Sequence, residues 1–222
     1  MTHDTAILAL DPSTAITAAV LVTFDAAGTP TLLSHCVANG AVAMMTSHQW
    51  PAIHRAGSDT QRLWRIWETG RVLRSWALGL ETAVDILAYE EPCQRGAAST
   101  AALHQAIGHY ASRLLGLCVG PVRVMPIHAT TAKAGMFGGA GVFRAKGQTA
   151  ITLGEKGRAM LWVMEHVAGV RELFTAESGP CVPDCEAIAD AVAVAVACYR
   201  AIQKPAPPVK KRPRPVKGAK QP

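Results

Sequence analysis

The sequence predicts an α/β fold, a mixed five-stranded sheet with helices on both faces, followed by a disordered basic C-terminal tail. Three observations carry that reading. Short apolar runs alternate with longer stretches of helical periodicity, the pattern of strands joined by crossovers. Two of the apolar runs stop abruptly in carboxylates, at Asp11 and at Glu90-Glu91. The segment from Lys204 onward, KPAPPVKKRPRPVKGAKQP, is rich in Pro and Lys and has few residues that could build a core.

Taken in order, residues 6–11, 16–24 and 31–38 read as three strands, with turn chemistry at Asp25-Ala26-Ala27-Gly28. They form an antiparallel meander whose first strand ends in Asp11, and Ser13 and Thr14 supply turn hydroxyls after it. Residues 40–58, with Pro51 and Gly57, read as a loop or short helix. A long helix follows to about Leu80, with Ser58 or Asp59 as N-cap. Its apolar face is Leu63, Ile66, Trp67, Val72, Trp76 and Leu80, and Arg62, Arg65, Arg71 and Arg74 line the other side. Its tryptophans are expected in the core or at a dimer contact. The next strand, Val84 to Glu91, is closed by Pro92. A right-handed crossover places it parallel to the first strand and beside it, with Glu90 at the same sheet edge as Asp11. Residues 96–118 form a helix capped by Ser99 or Thr100, with Leu103, Ile107, Tyr110, Leu114 and Leu115 on one face. Val122–Pro126 is the fifth strand.

The stretch from His128 to Gln148 holds four clustered glycines framed by Lys133, Arg144 and Lys146. It lacks the Gly-Lys-Ser/Thr ending of a P-loop. Lysine and arginine on such a backbone suit contact with a phosphate chain, although an ordinary flexible loop has the same composition. Helical periodicity runs from Arg144 to about Val167, with a break expected at Gly154 or Gly157. After a connector at Pro180–Pro183, Asp184 opens an almost wholly apolar helix as its N-cap. Glu186 and Asp190 are four apart and share one face of it. Two acids on a buried helix repel each other and lose hydration, so something positive is expected to face them.

Composition bounds the function. The chain has 222 residues and half of them are apolar, enough for one sizeable domain, expected over 1–203, with the tail at 204–222. No run spans a bilayer, and the start lacks a basic signal region, so a cytoplasmic protein with no membrane partner is expected. The six cysteines are scattered and do not outline a disulfide framework, and Cys181 and Cys185 lack the second pair that a zinc site needs. The net charge is +6, and the tail from Lys204 carries seven basic residues, Lys210, Lys211 and Arg212 among them, with no acid. The rest is close to neutral. A basic extended appendage favours a polyanion, most often nucleic acid, over a purely solubilising role.

Taken alone, Asp11 fits an Asx-turn as well as it fits chemistry, and Glu91 reads as a solvated strand-end acid. Convergence changes the balance. Asp11, Glu90, Glu186 and Asp190 make an all-oxygen set suited to Mg²⁺ or Mn²⁺ and not to zinc. Two such ions about 4 Å apart activate water and stabilise the leaving oxygen of a phosphodiester. Nearby lysines neutralise phosphate charge in the transition state. No Ser or Cys sits in an elbow motif that would favour a nucleophilic triad.

The order of Asp11-Pro12-Ser13, Ala88-Tyr89-Glu90-Glu91 and Ala189-Asp190-Ala191-Val192 resembles the RuvC family of Holliday junction resolvases, within the RNase H-like nucleases. Leu103-His104-Gln105-Ala106-Ile107-Gly108 resembles the family's stretch on the helix after the Glu. Thr131-Ala132-Lys133 and Ala145-Lys146-Gly147-Gln148 resemble its two lysine-bearing segments. The likeness covers most of 6–200. It implies an RNase H-like fold, a homodimer, and symmetric nicking of a four-way DNA junction with Mg²⁺, two ions per site. It also implies that Asp11, Glu90 and Asp190 bind the metal and that Lys133 and Lys146 contact DNA at the site. Arg95, Gln105 and Arg144 join them as expected DNA contacts. Where the family has Asp-Pro-Gly, this chain has Ser13. The family's fourth acid stands three residues before the helix Asp, where Ala187 is found, so Glu186, one position earlier, is its nearest counterpart and Asp184 the alternative.

Three other readings compete. One is an RNase H-like nuclease acting on flaps, forks or RNA. Another is a DNA-binding dimer with a decayed active site. An actin-like phosphotransferase also begins with a strand Asp, but it needs a second similar half for which this chain is too short.

Overall fold

The computed structural model describes residues 4–13, 15–45, 57–92, 97–118, 120–129, 131–132 and 155–204. The elements in chain order are β1 (Thr5–Asp11), β2 (Ile16–Phe24), β3 (Pro30–Asn39), α1 (Gly40–Met45), α2 (Ser58–Ala77), β4 (Ile86–Glu91), α3 (Ala97–Leu115), β5 (Arg123–His128), α4 (Glu155–His166), α5 (Val170–Thr175) and α6 (Val182–Gln203). The sheet order is β3-β2-β1-β4-β5, with β1 and β2 antiparallel, β2 and β3 antiparallel, and β4 parallel to both β1 and β5. The five strands and the parallel placement of β4 beside β1 agree with the sequence reading.

Local chemistry explains the turns. Between β2 and β3 the Asp25 carboxylate accepts the Ala27 and Thr29 N–H groups at 2.9 and 2.8 Å. These bonds hold the Asp25 carboxyl below its usual pKa, the one from Thr29 most of all. Gly28 closes this turn at φ +82°, a conformation that L side chains resist. A register shift at Leu21/Val22 bulges β3, so Leu33 turns to solvent. The outer edge of β3 is covered where Leu32 N–H donates to the Ala168 carbonyl at 3.0 Å and Ala168 N–H to that of Pro30 at 3.1 Å. Asn39 caps α1 by accepting the Ala41 and Val42 N–H groups.

Strand alternation divides the core into two halves. Ile7, Ala9, Val20, Val22, Ile86 and Ala88 face α6, whose Ile188, Val192, Val194 and Val196 are buried against them. Leu8, Leu10 and Leu87 face the opposite way, onto Ile66 and Leu73 of α2 and Ala106, Tyr110 and Leu114 of α3. The helices therefore lie on both faces. The β-branched valines of α6 are modest helix formers, and burial overrides that preference.

Several local expectations are corrected. The N-cap of α2 is Gly57, extended and without a side-chain cap bond, while Ser58 is already helical and Asp59 pairs with Arg62 at 3.2 Å. Helix α3 starts at Ala97, so Ser99 and Thr100 lie inside it. The N-cap of α6 is Cys181, with Pro183 in the first turn, where a missing N–H costs nothing. Asp184 is a first-turn acid that accepts the Cys181 thiol at 3.1 Å. Gly157 does not interrupt α4, and α5 was not anticipated. On the expected apolar face of α2, Leu63 and Trp67 are exposed, at 52% and 39%. The described cysteines are all free thiols.

Candidate functional site

The site is built from the exits of β1 and β4. The parallel register runs Ile7 with Ile86, Leu8 with Leu87, Ala9 with Ala88 and Leu10 with Tyr89. The next pair in that register is Asp11 with Glu90. Alternation turns both toward the face that carries α6, since Ile7, Ala9, Ile86 and Ala88 pack there. A buried apolar run thus delivers two half-buried carboxylates side by side at one sheet edge.

Helix α6 brings the other two acids. Near its C-terminus Tyr199 stacks on Phe24, ring centroids 4.1 Å apart, and Phe24 pairs with Thr5 at the start of β1. Cys198 Sγ lies 3.7 Å from Met125 Sδ of β5. The helix therefore ends at the edge where β1 begins and runs back toward the edge where β1 ends. At 1.5 Å per residue Asp190 lies about 14 Å and Glu186 about 20 Å along the axis from Tyr199. The rise of β1 is also about 20 Å. Glu186 and Asp190 are half-buried among buried alanine, isoleucine and valine neighbours of α6.

The turn after Asp11 is fixed by Ser13. Its hydroxyl accepts the N–H groups of Ala15 and Ile16 at 3.0 and 3.4 Å, and its own N–H donates to Thr17 Oγ1 at 3.2 Å. Thr17 Oγ1 in turn donates to the Ser13 carbonyl at 2.8 Å, and Tyr110 of α3 donates to the same carbonyl at 3.4 Å. The hydroxyl network holds the strand exit. In the sequence Tyr110 is one residue of an apolar helix face and Thr17 one residue of a strand, with no signal for this role. Burial raises the Tyr110 phenol above its ordinary pKa, so it acts here as a neutral donor. At the start of the same strands Asp85 accepts the Ala6 N–H at 2.8 Å, which fixes the register that brings Asp11 to Glu90.

The four acids supply only carboxylate oxygen, the donor type of a hard divalent cation. Each takes part in a polar or electrostatic interaction. Among the described residues no three His, Cys, Asp or Glu side chains are gathered closely enough to hold a metal ion. The donor chemistry is that of a Mg²⁺ or Mn²⁺ site, but the described residues do not form a closed ligand set. Glu91 is exposed, as expected. Gln105 is exposed on the other face of the sheet, in a groove of about 510 Å³ with Leu63, Trp64, Ile66, Trp67 and His109. Arg95, Lys133, Arg144, Lys146, Lys210, Lys211 and Arg212 lie outside the described residues.

No helix among the described residues is long and apolar enough to cross a membrane. No protein-family model matches the chain, and no curated protein does either. Solved structures do. Thermus thermophilus RuvC in complex with a Holliday junction substrate matches at TM-score 0.54 and 16% identity, covering 89% of this chain and 95% of that one. A second structure of Thermus thermophilus RuvC matches at 0.52 and 18%, over the same shares. The yeast mitochondrial Holliday junction resolvase Ydc2 matches at 0.50 and 7%, over 88% and 79%. This chain has the fold of the RuvC-type Holliday junction resolvases, an RNase H-like mixed sheet.

Proposed function

We propose that the chain is a divalent-metal-dependent endonuclease that nicks branched DNA, with the four-way junction as its substrate. The observation that carries this reading is the β1–β4 register, which continued by one pair sets Asp11 beside Glu90 on the face covered by α6. The fold similarity agrees with it. Asp11, Glu90 and Asp190 would hold Mg²⁺, or Mn²⁺ in its place, two ions per site, with Glu186 completing the set. The bound ions supply an activated water and charge for the leaving oxygen. The chain's own contribution is placement. The Ser13 hydroxyl turn fixes Asp11, the β1–β4 register fixes Glu90, and the apolar packing of α6 fixes the height of Asp190. Lys133 and Lys146 would meet the scissile phosphate, and the tail cations Lys210, Lys211 and Arg212 would bind duplex backbone. A homodimer would present two such edges to the two opposed strands of a junction. The exposed Leu63 and Trp67 on α2 are the apolar surface that such a dimer would cover.

The test is cleavage of a synthetic four-way junction, linear duplex, flap and RNA–DNA hybrid in Mg²⁺, with the intact chain and Asp11→Asn. Paired symmetric nicks in the junction alone, abolished by the substitution, are expected. Equal cutting of flaps or hybrids would replace this reading with a broader nuclease. One observation favours a second reading, a DNA-binding dimer without catalysis. The described carboxylates do not form a gathered three-ligand set. Tight junction binding with no cutting in Mg²⁺ or Mn²⁺ would establish it.

A further inference from the structure

A groove of about 1280 Å³ extends from the sheet edge remote from the acids, between the C-terminal end of α6, the last turn of α4, the start of β5 and the β2–β3 turn, to Thr131 beyond the end of β5. Arg123, His166, Arg200 and Lys204 lie in its lining, all four exposed. No Asp or Glu lies in the described lining. The nearby Asp25 carboxylate is taken up by its own turn.

The walls are set by ring stacking. The His166 ring lies on Trp162, centroids 4.5 Å apart and planes at 8°, with Nδ1 donating to the Trp162 carbonyl at 2.9 Å. The Arg200 guanidinium stands 6.0 Å from the same indole centroid. Tyr199 is stacked on Phe24. His166 and Arg200 are therefore placed before any ligand arrives, which lowers the ordering cost of binding.

An anion must be the occupant. Arginines and a lysine gathered without a carboxylate repel one another and gain from a negative partner. The chain's own tail does not qualify, because residues 205–222 contain no acid and carry Lys210, Lys211, Arg212, Arg214, Lys217 and Lys220. The volume exceeds the few hundred Å³ to about 1,000 Å³ of ordinary small-molecule pockets, and the cations come from β5 and α6, two separate elements. Both features suit a run of phosphates better than a single one. The described chain ends at Lys204, in the lining itself, so the basic tail departs from this groove.

We infer that this groove is a second DNA-backbone site, whose cations hold the phosphates of an arm about 20 Å from the cleavage edge, the length of about six base pairs. The inference rests on the reading of the chain as a DNA enzyme. It assigns affinity to Arg123, Arg200 and Lys204 and leaves the chemical step to the acids.

The experiment uses the full chain carrying Asp11→Asn, with a synthetic four-way junction and a linear duplex as probes, across a salt series. Combining Arg123→Gln, Arg200→Gln and Lys204→Gln should lower the slope of log affinity against log salt by about 2–3 and weaken binding at least tenfold at roughly 0.1 M salt. With Asp11 restored, the single-turnover rate at saturating protein should be unchanged. Arg123→Lys with Arg200→Lys should keep the salt slope, which separates charge from misfolding. Arg74→Gln with Arg113→Gln, on the other face, should leave both slope and affinity as they were. An unchanged slope in the triple variant, or an equal loss in the Arg74 and Arg113 control, would overturn the groove while leaving the nuclease reading intact. Failure of the intact chain to bind either probe would overturn both. A reduced slope in a chain that cuts nothing would keep the groove and remove the nuclease reading.

Discussion

At the residue scale the acids were the readable part of the site. Asp11 and Glu90 announce themselves because each ends an apolar run, and Asp190 because it interrupts a row of alanines and valines. What holds them was not readable. Nothing in Asp-Pro-Ser shows that Ser13 Oγ takes two backbone N–H groups, or that Tyr110, 97 residues away, donates to the Ser13 carbonyl. These are long-range or φ/ψ-dependent bonds that no periodicity encodes. Tyr110→Phe removes the latter bond, which at 3.4 Å is a weak one. It should cost about 0.5–1.5 kcal/mol in urea unfolding and lower cleavage without altering the fold. Cys198 gives a pH signature. Its thiol is fully buried, and burial raises its pKa from 9.0 to about 11. The folded state keeps this proton after the unfolded state has lost it. The contribution is whole below pH 9 and is lost as pH rises to about 11. Thermal melts from pH 8 to 11 should show a steeper loss for the natural chain than for Cys198→Ala. Parallel curves would contradict the burial.

At the element scale, strands were legible and helix ends were not. The strand runs are short, apolar and bounded by turn residues, so their limits fell within a residue or two at most ends. The helix caps differ from the sequence expectation because a Ser, Thr or Asp near a helix start reads as the cap, whereas Gly57 and Cys181 serve without any side-chain bond. Packing between α2 and α3 depends on Gly70, where an added Cβ would lie 2.5 Å from the His109 ring. Gly70→Ala should therefore destabilise the fold by about 1–3 kcal/mol, despite the better helix propensity of alanine. Stabilisation in a urea titration would show that the ring simply swings aside. In α6, Ile188 is fully buried against the sheet. Ile188→Ala should cost about 2–5 kcal/mol, and it lies between Glu186 and Asp190, so activity should fall with stability.

At the scale of the whole molecule, charge is divided by position. Asp11 and Glu90 stand at the carboxyl edge of the parallel strands, where α/β folds place their sites. A cationic groove occupies the opposite edge, and the basic tail begins there. The sequence shows the tail's charge and the body's near neutrality, but the groove is assembled from β5, α4 and α6 and is invisible without the fold. Deleting residues from 205 onward should weaken junction binding and flatten its salt dependence, with cleavage surviving at saturating protein. An unchanged slope would place the tail outside the complex. Light scattering should report a dimer for the intact chain and a monomer for Trp67→Glu, whereas a monomeric intact chain would separate this protein from the dimeric arrangement that the resemblance implies.

The central claim is that the shared edge of Asp11, Glu90 and α6 is a divalent-metal site. Mn²⁺ binding to the full chain, followed by electron paramagnetic resonance in the absence of DNA, addresses it without relying on activity. The account predicts one or two bound ions per chain, with affinity reduced at least tenfold in Asp11→Asn and in Asp190→Asn while the far-ultraviolet circular dichroism is unchanged. Binding of equal strength in the intact chain and both variants, or no binding in any of them, would contradict it.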